Sequence, residues 1–220
     1  MKLFHKENMK NYIIGGLSLF LSIIVYPMLP EQIPVHFDAQ GVVDGYGSPL
    51  TIFLLPALIL GTCILAEVMK HLDPKHASYA LFSKHYYQFF FVLDLFFFLI
   101  QLYLISYSME WITFNISNLM IVAMGLLFLF MGNMMPKVKH NYFMGIKTAW
   151  TLASEQVWYD THRFSGKLWF VLGILICISG FLPPKIVMSV FLICTGVAVL
   201  VPFVYSYVIF KKLGEETDQG

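Results

Sequence analysis

The sequence predicts an all-α integral membrane protein with six transmembrane helices. Of its 220 residues, 58% are hydrophobic and 12% are charged, whereas an average soluble protein is roughly 25% charged. The hydrophobic residues also form runs near the ~20 residues that a helix needs to cross a bilayer. A water-soluble fold cannot bury that much apolar surface, so the composition excludes a soluble globular domain.

Six apolar runs follow one another along the chain, each bounded by polar or turn-forming residues. The first follows the basic stretch MKLFHKENMKN and is not followed by a small-residue cleavage motif, so we expect a retained helix rather than a signal peptide. The predicted spans cover residues 12–29, 50–69, 86–107, 118–135, 168–182 and 186–210.

Lysine and arginine are unevenly distributed between the segments that connect these spans. With the N-terminus inside, the inner segments hold thirteen of the fourteen Lys and Arg residues, and the outer segments hold only Lys185. Cytoplasmic loops of membrane proteins carry such an excess of basic residues. The sequence therefore predicts a multi-pass protein of the cell membrane with both termini in the cytoplasm.

Changes in composition divide the chain into four predicted parts. These are an N-terminal helix pair with an outer polar loop (1–70), a cytoplasmic loop with the third helix (71–114), a C-terminal membrane region (115–212) and an acidic tail (213–220).

Residues 132–167, GNMMPKVKHNYFMGIKTAWTLASEQVWYDTHRFSGK, form the longest polar interval, and we call them the signature segment. Thr151 or Ser154 can cap a helix whose first turn contains Glu155, where the helix dipole favours a carboxylate. We expect a short amphipathic helix on the inner leaflet, between the fourth and fifth spans, ending at the Ser165–Gly166 pair. The residues leave two interpretations open: an interfacial loop anchored by aromatic rings, or a docking surface for a peptide or a cytoplasmic protein.

The signature segment resembles that of the SdpI-like membrane immunity proteins, whose pattern reads approximately GNxMPxxxxNxxxGIRTPWTLxxExVWxxTHRxxGK. The match is gapless over the whole segment. The earlier loop LPEQIPVHFDAQGVVDGYGSP is similar to a short domain of unknown function that often forms the N-terminal part of such proteins. By this resemblance, residues 115–212 are the SdpI-like region and residues 1–70 contain the domain of unknown function.

The resemblance implies immunity to a secreted, membrane-active peptide toxin and retention of a cytoplasmic transcriptional repressor at the membrane. The implied partners are the lipid bilayer, a peptide toxin and a repressor protein, without direct contact to nucleic acid. Lys147 and Ala149 depart from the Arg and Pro of the family pattern, and Lys cannot reproduce a bidentate guanidinium contact. The matching positions and Lys147 give these candidates for partner binding: Asn141, Gly145, Lys147, Thr148, Trp150, Thr151, Glu155, Trp158, His162 and Arg163.

A polar stripe crosses the third span. Tyr87, Asp94 and Gln101 are seven residues apart and share one helix face. A charged carboxylate at the centre of a bilayer costs about 2.5 kcal/mol or more, so Asp94 should face other helices or be protonated. The stripe is either a track for a proton or ion, which would make the chain a small coupled carrier, or a set of interhelical hydrogen bonds.

His36, Asp38 and Asp44 lie in the predicted outer loop and are candidates for contact with a toxin peptide. Imidazole and carboxylates also bind metals, but ordinary turn chemistry explains these residues, so we predict no metal site. The sequence contains no Walker, dinucleotide or GxSxG fingerprint, and its three cysteines lack paired spacing. We therefore predict neither enzymatic activity nor a cofactor.

Overall fold

The computed structural model describes residues 5–38, 40–114 and 116–217. Within these ranges the chain is mostly helical and contains one two-stranded antiparallel β-sheet. The elements are α1 (Met9–Val25), β1 (Ile33–Phe37), β2 (Val43–Gly47), α2 (Leu54–Leu72), α3 (Ser83–Ser108), α4 (Ile116–Met134), α5 (Ala149–Ala153), α6 (Glu155–Ser179) and α7 (Pro184–Thr217).

Six helical segments of the described chain are long and apolar enough to cross a membrane, which confirms the predicted number of spans. In each of them, at most 39% of the most apolar 18-residue stretch is buried inside the protein. Most of the apolar surface of these helices is therefore left for lipid. The segments are Lys6–Met28, Pro49–Leu72, Ser83–Ser108, Ile116–Lys137, Glu155–Ser179 and Ile186–Glu215.

Two expectations about local structure need correction. The polar loop that follows the first span contains the β1–β2 hairpin, so the fold is not purely α-helical. The Ser165–Gly166 pair does not end a helix, because α6 continues through it as one element that combines the expected amphipathic helix with the fifth span. Packing requires a glycine at position 166, because a Cβ atom there would lie 2.7 Å from the carbonyl oxygen of Gly132 in α4.

The described chain forms two compact units, each built from two separate stretches of sequence. The first contains the described residues of Met1–Val68 and Tyr87–Met120, and the second those of Met69–Tyr86 and Ile121–Gly220.

In the first unit the hairpin is fixed to the end of the helices by apolar contacts. Ile33 of β1 is 1% exposed and packs in a cluster with Val25, Ile52 and Ile105. The ring of Phe37 also meets the ring of Tyr107 edge-on at 5.8 Å between centroids. The hairpin therefore has a defined position at the C-terminal end of α3.

The C-terminus of α3 ends in a Schellman motif with an unusual residue. The backbone N–H of Trp111 donates to the carbonyl of Ser106, and that of Glu110 donates to the carbonyl of Tyr107. Glu110 occupies the left-handed position of this motif with a φ of 59°, where glycine is normally found because it lacks a Cβ. Glu110 therefore adopts a backbone conformation that is unfavourable for any residue with a Cβ atom.

Replacing Glu110 with glycine is expected to stabilise the protein by about 1 kcal/mol, because the left-handed strain of an L-residue is removed. Thermal unfolding of the purified chain in detergent, followed by circular dichroism, measures this change. Glu110→Ala is the matched control, since it removes the carboxylate and keeps the strain. Equal melting temperatures for the two variants would contradict the argument.

In the second unit α4 and α6 cross at very short range. A Cβ on Gly125 would lie 2.7 Å from the backbone nitrogen of Cys177, and a Cβ on Gly132 would lie 2.5 Å from that of Phe170. Small residues that allow two backbones to approach in this way are typical of helix contacts in membranes. An apolar cluster then fills the space between α4, α6 and α7, comprising Ile121, Phe128, Leu172, Ile176, Val187, Cys194 and Ala198.

Candidate functional site: the signature segment

The signature segment lies in the second unit and connects α4 to α6. A 3-10 turn (Met135–Lys137) leads from α4 into an irregular stretch, which is followed by the short helix α5 and then by α6. The hydroxyl of Ser154 accepts a hydrogen bond from the Val157 N–H and caps α6, and Glu155 lies in the first turn. Both features agree with the sequence prediction for this helix start.

Asn141 is the centre of the irregular stretch. Its side chain is fully buried, and Oδ1 accepts hydrogen bonds from the backbone N–H groups of Phe143 (2.9 Å) and Met144 (2.6 Å). Nδ2 donates to the carbonyls of Lys139 (2.8 Å) and Met144 (2.9 Å). Because buried backbone groups must find partners, one amide side chain determines the path of this stretch.

Asp73 anchors the same stretch, although sequence reasoning does not single it out. Its carboxylate is buried and accepts hydrogen bonds from the Tyr79 hydroxyl (2.8 Å), the Tyr142 N–H (2.9 Å) and the Lys75 N–H (2.7 Å). Burial, and then the bond to Asp73, raise the pKa of the Tyr79 phenol well above its usual value, so Tyr79 remains a donor. The only sequence signal was an Asp-Pro pair between two spans, which is typical of any turn.

The Trp158 ring stacks on that of His162 and lies tilted against that of His140. Its ring centroid lies 4.9 Å from that of His140 and 4.1 Å from that of His162, and Nε1 donates to the Val138 carbonyl at 3.0 Å. Nε2 of His162 accepts from the Ile146 N–H (3.0 Å), which leaves the Nδ1 proton to bond the Trp158 carbonyl (2.7 Å). His162 is thus the neutral tautomer, and it positions the loop.

Gly145 is required by its surroundings. Its φ of 117° is one that L-residues rarely adopt. A Cβ atom there would also collide with Nε2 of His162 and lie 3.1 Å from the Trp158 ring. The glycine therefore lets the loop close over the stacked rings.

Thr148 and Thr151 form a reciprocal cap at the start of α5. The Thr151 N–H donates to Thr148 Oγ1 at 3.1 Å, and the Thr148 N–H donates to Thr151 Oγ1 at 2.9 Å. Thr148 Oγ1 also lies 3.0 Å from the hydroxyl of Ser206 in α7. Trp150 is half-buried with its ring 5.2 Å from that of Phe203, also in α7. These contacts fix α5 against the last helix.

The two departures from the family pattern flank Thr148. Lys147 is exposed, and its ammonium donates to the Phe143 carbonyl at 3.1 Å. Ala149 is the first residue of α5, a position at which proline is over-represented because its fixed φ suits the helix. The reciprocal cap of Thr148 and Thr151 forms the start of α5 with alanine at this position.

His140 is the second buried histidine beside Trp158. Its side chain is 5% exposed, Nδ1 lies 2.7 Å from the Lys75 ammonium, and Nε2 has no hydrogen-bond partner among the described residues. Burial, and then the charge of Lys75, lower the pKa of His140; the carboxylates of Glu155 and Asp73 oppose this.

Acidification is expected to loosen the signature segment. A folded-state pKa below the ordinary value of 6.5 means that the unfolded loop binds protons more readily. The stabilisation is therefore complete above pH 6.5 and is lost as the pH falls through the folded-state pKa. Hydrogen-exchange protection of residues 139–147, corrected for intrinsic rates, should fall between about pH 7 and pH 5. His140→Phe keeps an aromatic ring beside Trp158 and should reduce this dependence. The part that remains is assigned to His162, whose pKa burial lowers to about 4. An unchanged dependence would exclude His140 as a source.

The ten candidates for partner binding divide into two groups. Six support the segment from within: Asn141, Thr148, Thr151, Trp158 and His162 are buried, and Trp150 is half-buried. Four remain exposed to a partner: Gly145, Lys147, Glu155 and Arg163.

In the first unit the polar stripe of α3 is used for contacts between helices. Oδ1 of Asp94 accepts a hydrogen bond from the Thr62 hydroxyl at 2.5 Å, and its Oδ2 lies 3.8 Å from the Cys63 thiol. Gln101 accepts from the Ser18 hydroxyl at 2.5 Å and donates to the Ser22 hydroxyl at 2.7 Å. Both residues are fully buried.

Glu67 is a buried carboxylate that sequence reasoning misses, because it lies near the polar end of the second apolar run. It is 5% exposed and accepts hydrogen bonds from the Asn8 amide and the Tyr87 hydroxyl, each at 3.0 Å. The stripe residue Tyr87 therefore bonds to Glu67 of α2.

The outer-loop candidates are arranged as the turn interpretation suggests. Nδ1 of His36 lies 2.5 Å from a carboxylate oxygen of Asp44 across the hairpin. Asp38 caps the turn by accepting from the N–H groups of Gln40 (2.9 Å) and Val42 (2.8 Å). Among the described residues, no group of three or more His, Cys, Asp or Glu side chains could hold a metal ion.

Comparison with known proteins gives a family match in each half of the chain. Residues 137–206, which include most of the signature segment, match the SdpI/YfhL protein family. This confirms the SdpI-like resemblance. Residues 13–60 match a domain of unknown function (DUF1648). The chain is 29% identical over 210 residues to the Immunity protein SdpI of Bacillus subtilis (strain 168), covering 94% of this chain and 98% of that relative.

A search of solved structures finds no match for this chain. The six apolar helices and the relative together identify a multi-pass protein of the cell membrane.

Proposed function

We propose that this SdpI-like chain is a non-enzymatic membrane immunity protein that protects its cell against a membrane-active peptide toxin. The observation that carries the proposal is the correspondence with a protein named for immunity over nearly the full length of both chains. The match extends beyond the signature segment, so it covers the helices that would meet a toxin in the bilayer.

Expression in a toxin-sensitive bacterium tests the proposal. Cells that make the chain should survive membrane-active peptides from sibling bacteria at concentrations that kill cells carrying an empty vector. Membrane levels of the chain are measured in parallel by immunoblotting. Unchanged killing by the whole set of toxins, with the chain present in the membrane, would contradict immunity.

We further propose that the exposed residues of the signature segment dock a cytoplasmic repressor. Lys147 and Arg163 supply positive charge, and the buried side chains behind them keep the backbone rigid. A ligand changes such a docking equilibrium only if it binds two states of the protein with different affinity.

A fluorescently tagged candidate repressor should move to the membrane when toxin is added to cells that make the chain. Arg163→Glu combined with Lys147→Glu should abolish this movement and leave survival intact. Lys212→Glu, a charge reversal at another exposed position, is the matched control. Recruitment that persists in the double variant would exclude this docking surface.

A proton- or ion-coupled carrier is the second candidate. It is favoured by one observation, a completely buried carboxylate at Asp94 in a membrane-crossing helix. It predicts that Asp94→Asn abolishes function and leaves the amount of folded protein unchanged. If Asp94→Asn protects cells normally while Arg163→Glu does not recruit the repressor, the carrier function is excluded.

A further inference from the structure

A cleft of about 540 Å³ opens in the first unit between the β-hairpin and the turn that follows α3. Its volume lies within the roughly 300–1,000 Å³ that is typical of ligand sites. The walls are formed by Gln32 and Pro34 of the hairpin segment, Tyr46 of β2, Tyr107 at the end of α3, and Glu110 of the turn.

The hairpin wall presents one face of the sheet to the cleft. Gln32 and Pro34 are two residues apart, and Tyr46 pairs directly with Pro34 across the hairpin, so the three share a face. Ile33 lies between Gln32 and Pro34 and is buried in the apolar cluster with Val25. The hairpin wall is therefore held in place without a ligand.

The opposite wall is equally fixed. Tyr107 is stacked with Tyr103 at 5.7 Å and meets the Phe37 ring edge-on. Glu110 follows it in the left-handed conformation described above. A glycine would remove the strain at this position, but it would also remove the carboxylate from the cleft.

The surroundings of the cleft favour a basic partner. Residues 30–49 and 108–115 contain the acidic residues Glu31, Asp38, Asp44 and Glu110 and no Lys or Arg. The one histidine of these stretches, His36, is paired with Asp44. Tyr46 is 61% exposed, so an aromatic face remains available beside the acidic group.

We propose that this cleft binds a short, extended peptide segment in which an apolar or aromatic side chain precedes a lysine or arginine. The apolar side chain packs between Pro34, Tyr46 and Tyr107, since aromatic-lined grooves bind extended peptides. The basic side chain pairs with Glu110. The inference rests on the proposed immunity function and assigns the toxin contact to this end of the first unit.

Binding is measured with a defined probe, the fluorescein-labelled peptide Gly-Val-Tyr-Lys-Val-Gly, against the full chain in nanodiscs of phosphatidylcholine. A second peptide carries Glu in place of Lys. Fluorescence polarisation should show saturable binding of the Lys peptide, about tenfold tighter than that of the Glu peptide. Absence of saturable binding to the unaltered chain overturns the proposal.

Two variants locate the site. Tyr46→Ala should weaken binding of the Lys peptide about tenfold, and Glu110→Lys should remove its preference over the Glu peptide. Glu215→Lys, the same charge reversal at an exposed position of α7 in the second unit, should change neither. Glu110→Gly gives a further control, because it is expected to weaken binding while raising the melting temperature. Binding that is unaltered in Tyr46→Ala and Glu110→Lys overturns the proposal.

Survival assays separate this inference from the immunity function itself. If the unaltered chain and both cleft variants protect cells equally, the cleft proposal fails and immunity stands. If the probe binds as expected in the cleft but the unaltered chain protects cells from no toxin, the binding site stands and the immunity function fails.

Discussion

Replacing Gly132 with alanine is expected to destabilise the second unit by about 3 kcal/mol, the upper end of the usual cost of overpacking. The added methyl group would lie 2.5 Å from the backbone nitrogen of Phe170 and 2.7 Å from the carbonyl oxygen of Gly166. Backbone atoms cannot move aside as the end of a flexible side chain can, so α4 and α6 must separate. That separation also loosens the apolar cluster around Phe128 and Ile176.

Gly196→Ala is the matched control for Gly132→Ala. Gly196 lies inside α7, and nothing lies within 4 Å of a Cβ added there. Its replacement should stabilise the protein by about 0.5–1 kcal/mol through helix propensity alone. Thermal unfolding in detergent, followed by tryptophan fluorescence, should therefore shift in opposite directions for the two variants. Similar shifts would show that the short α4–α6 crossing does not determine stability.

The number of spans could be predicted because each apolar run approaches the length of a membrane crossing. The hairpin could not, because strand β2 (VDGYG) contains two glycines and an aspartate, which are depleted in strands. The position of the hairpin instead depends on Ile33 and Phe37 of β1, whose partners are distant in sequence. Tertiary packing selected the strand conformation here.

The predicted end of the amphipathic helix was wrong for a related reason. Ser165 and Gly166 are ordinary helix stop signals in sequence. In the structure Gly166 lies against the backbone of Gly132, a contact between elements that no local pattern reveals. The same residue type thus serves as a packing surface rather than as a cap.

The candidate residues of the signature segment were identified by resemblance, but their roles were not. A sequence pattern does not distinguish Asn141, which is fully buried, from Arg163, which is exposed. Asp73 was missed because its partner Tyr142 lies beyond both α3 and α4 in the chain. Only the fold brings them together.

Asn141→Ala is expected to cost the signature segment about 4 kcal/mol of local stability. The substitution removes the partners of the Phe143 and Met144 N–H groups and of the Lys139 and Met144 carbonyls. Each buried polar group left without a partner costs about 1–3 kcal/mol, and those that reach water cost less. The loop should then open much more often than in the unaltered chain, while the membrane helices remain folded.

Limited trypsin digestion measures this opening, because Lys139 and Lys147 flank the stretch that Asn141 organises and are both exposed. Cleavage after them should accelerate by about two to three orders of magnitude, since each 1.4 kcal/mol of local stability corresponds to tenfold in the open population. Asn133→Ala makes the same change at an exposed asparagine in α4 and should leave cleavage unaltered. Asn141→Asp keeps both acceptor interactions but sets a carboxylate oxygen against the Lys139 and Met144 carbonyls, so it should also accelerate cleavage. If Asn141→Ala is cleaved no faster than Asn133→Ala, the loop is held by the Trp158 stack and the Asp73 hydrogen bonds instead.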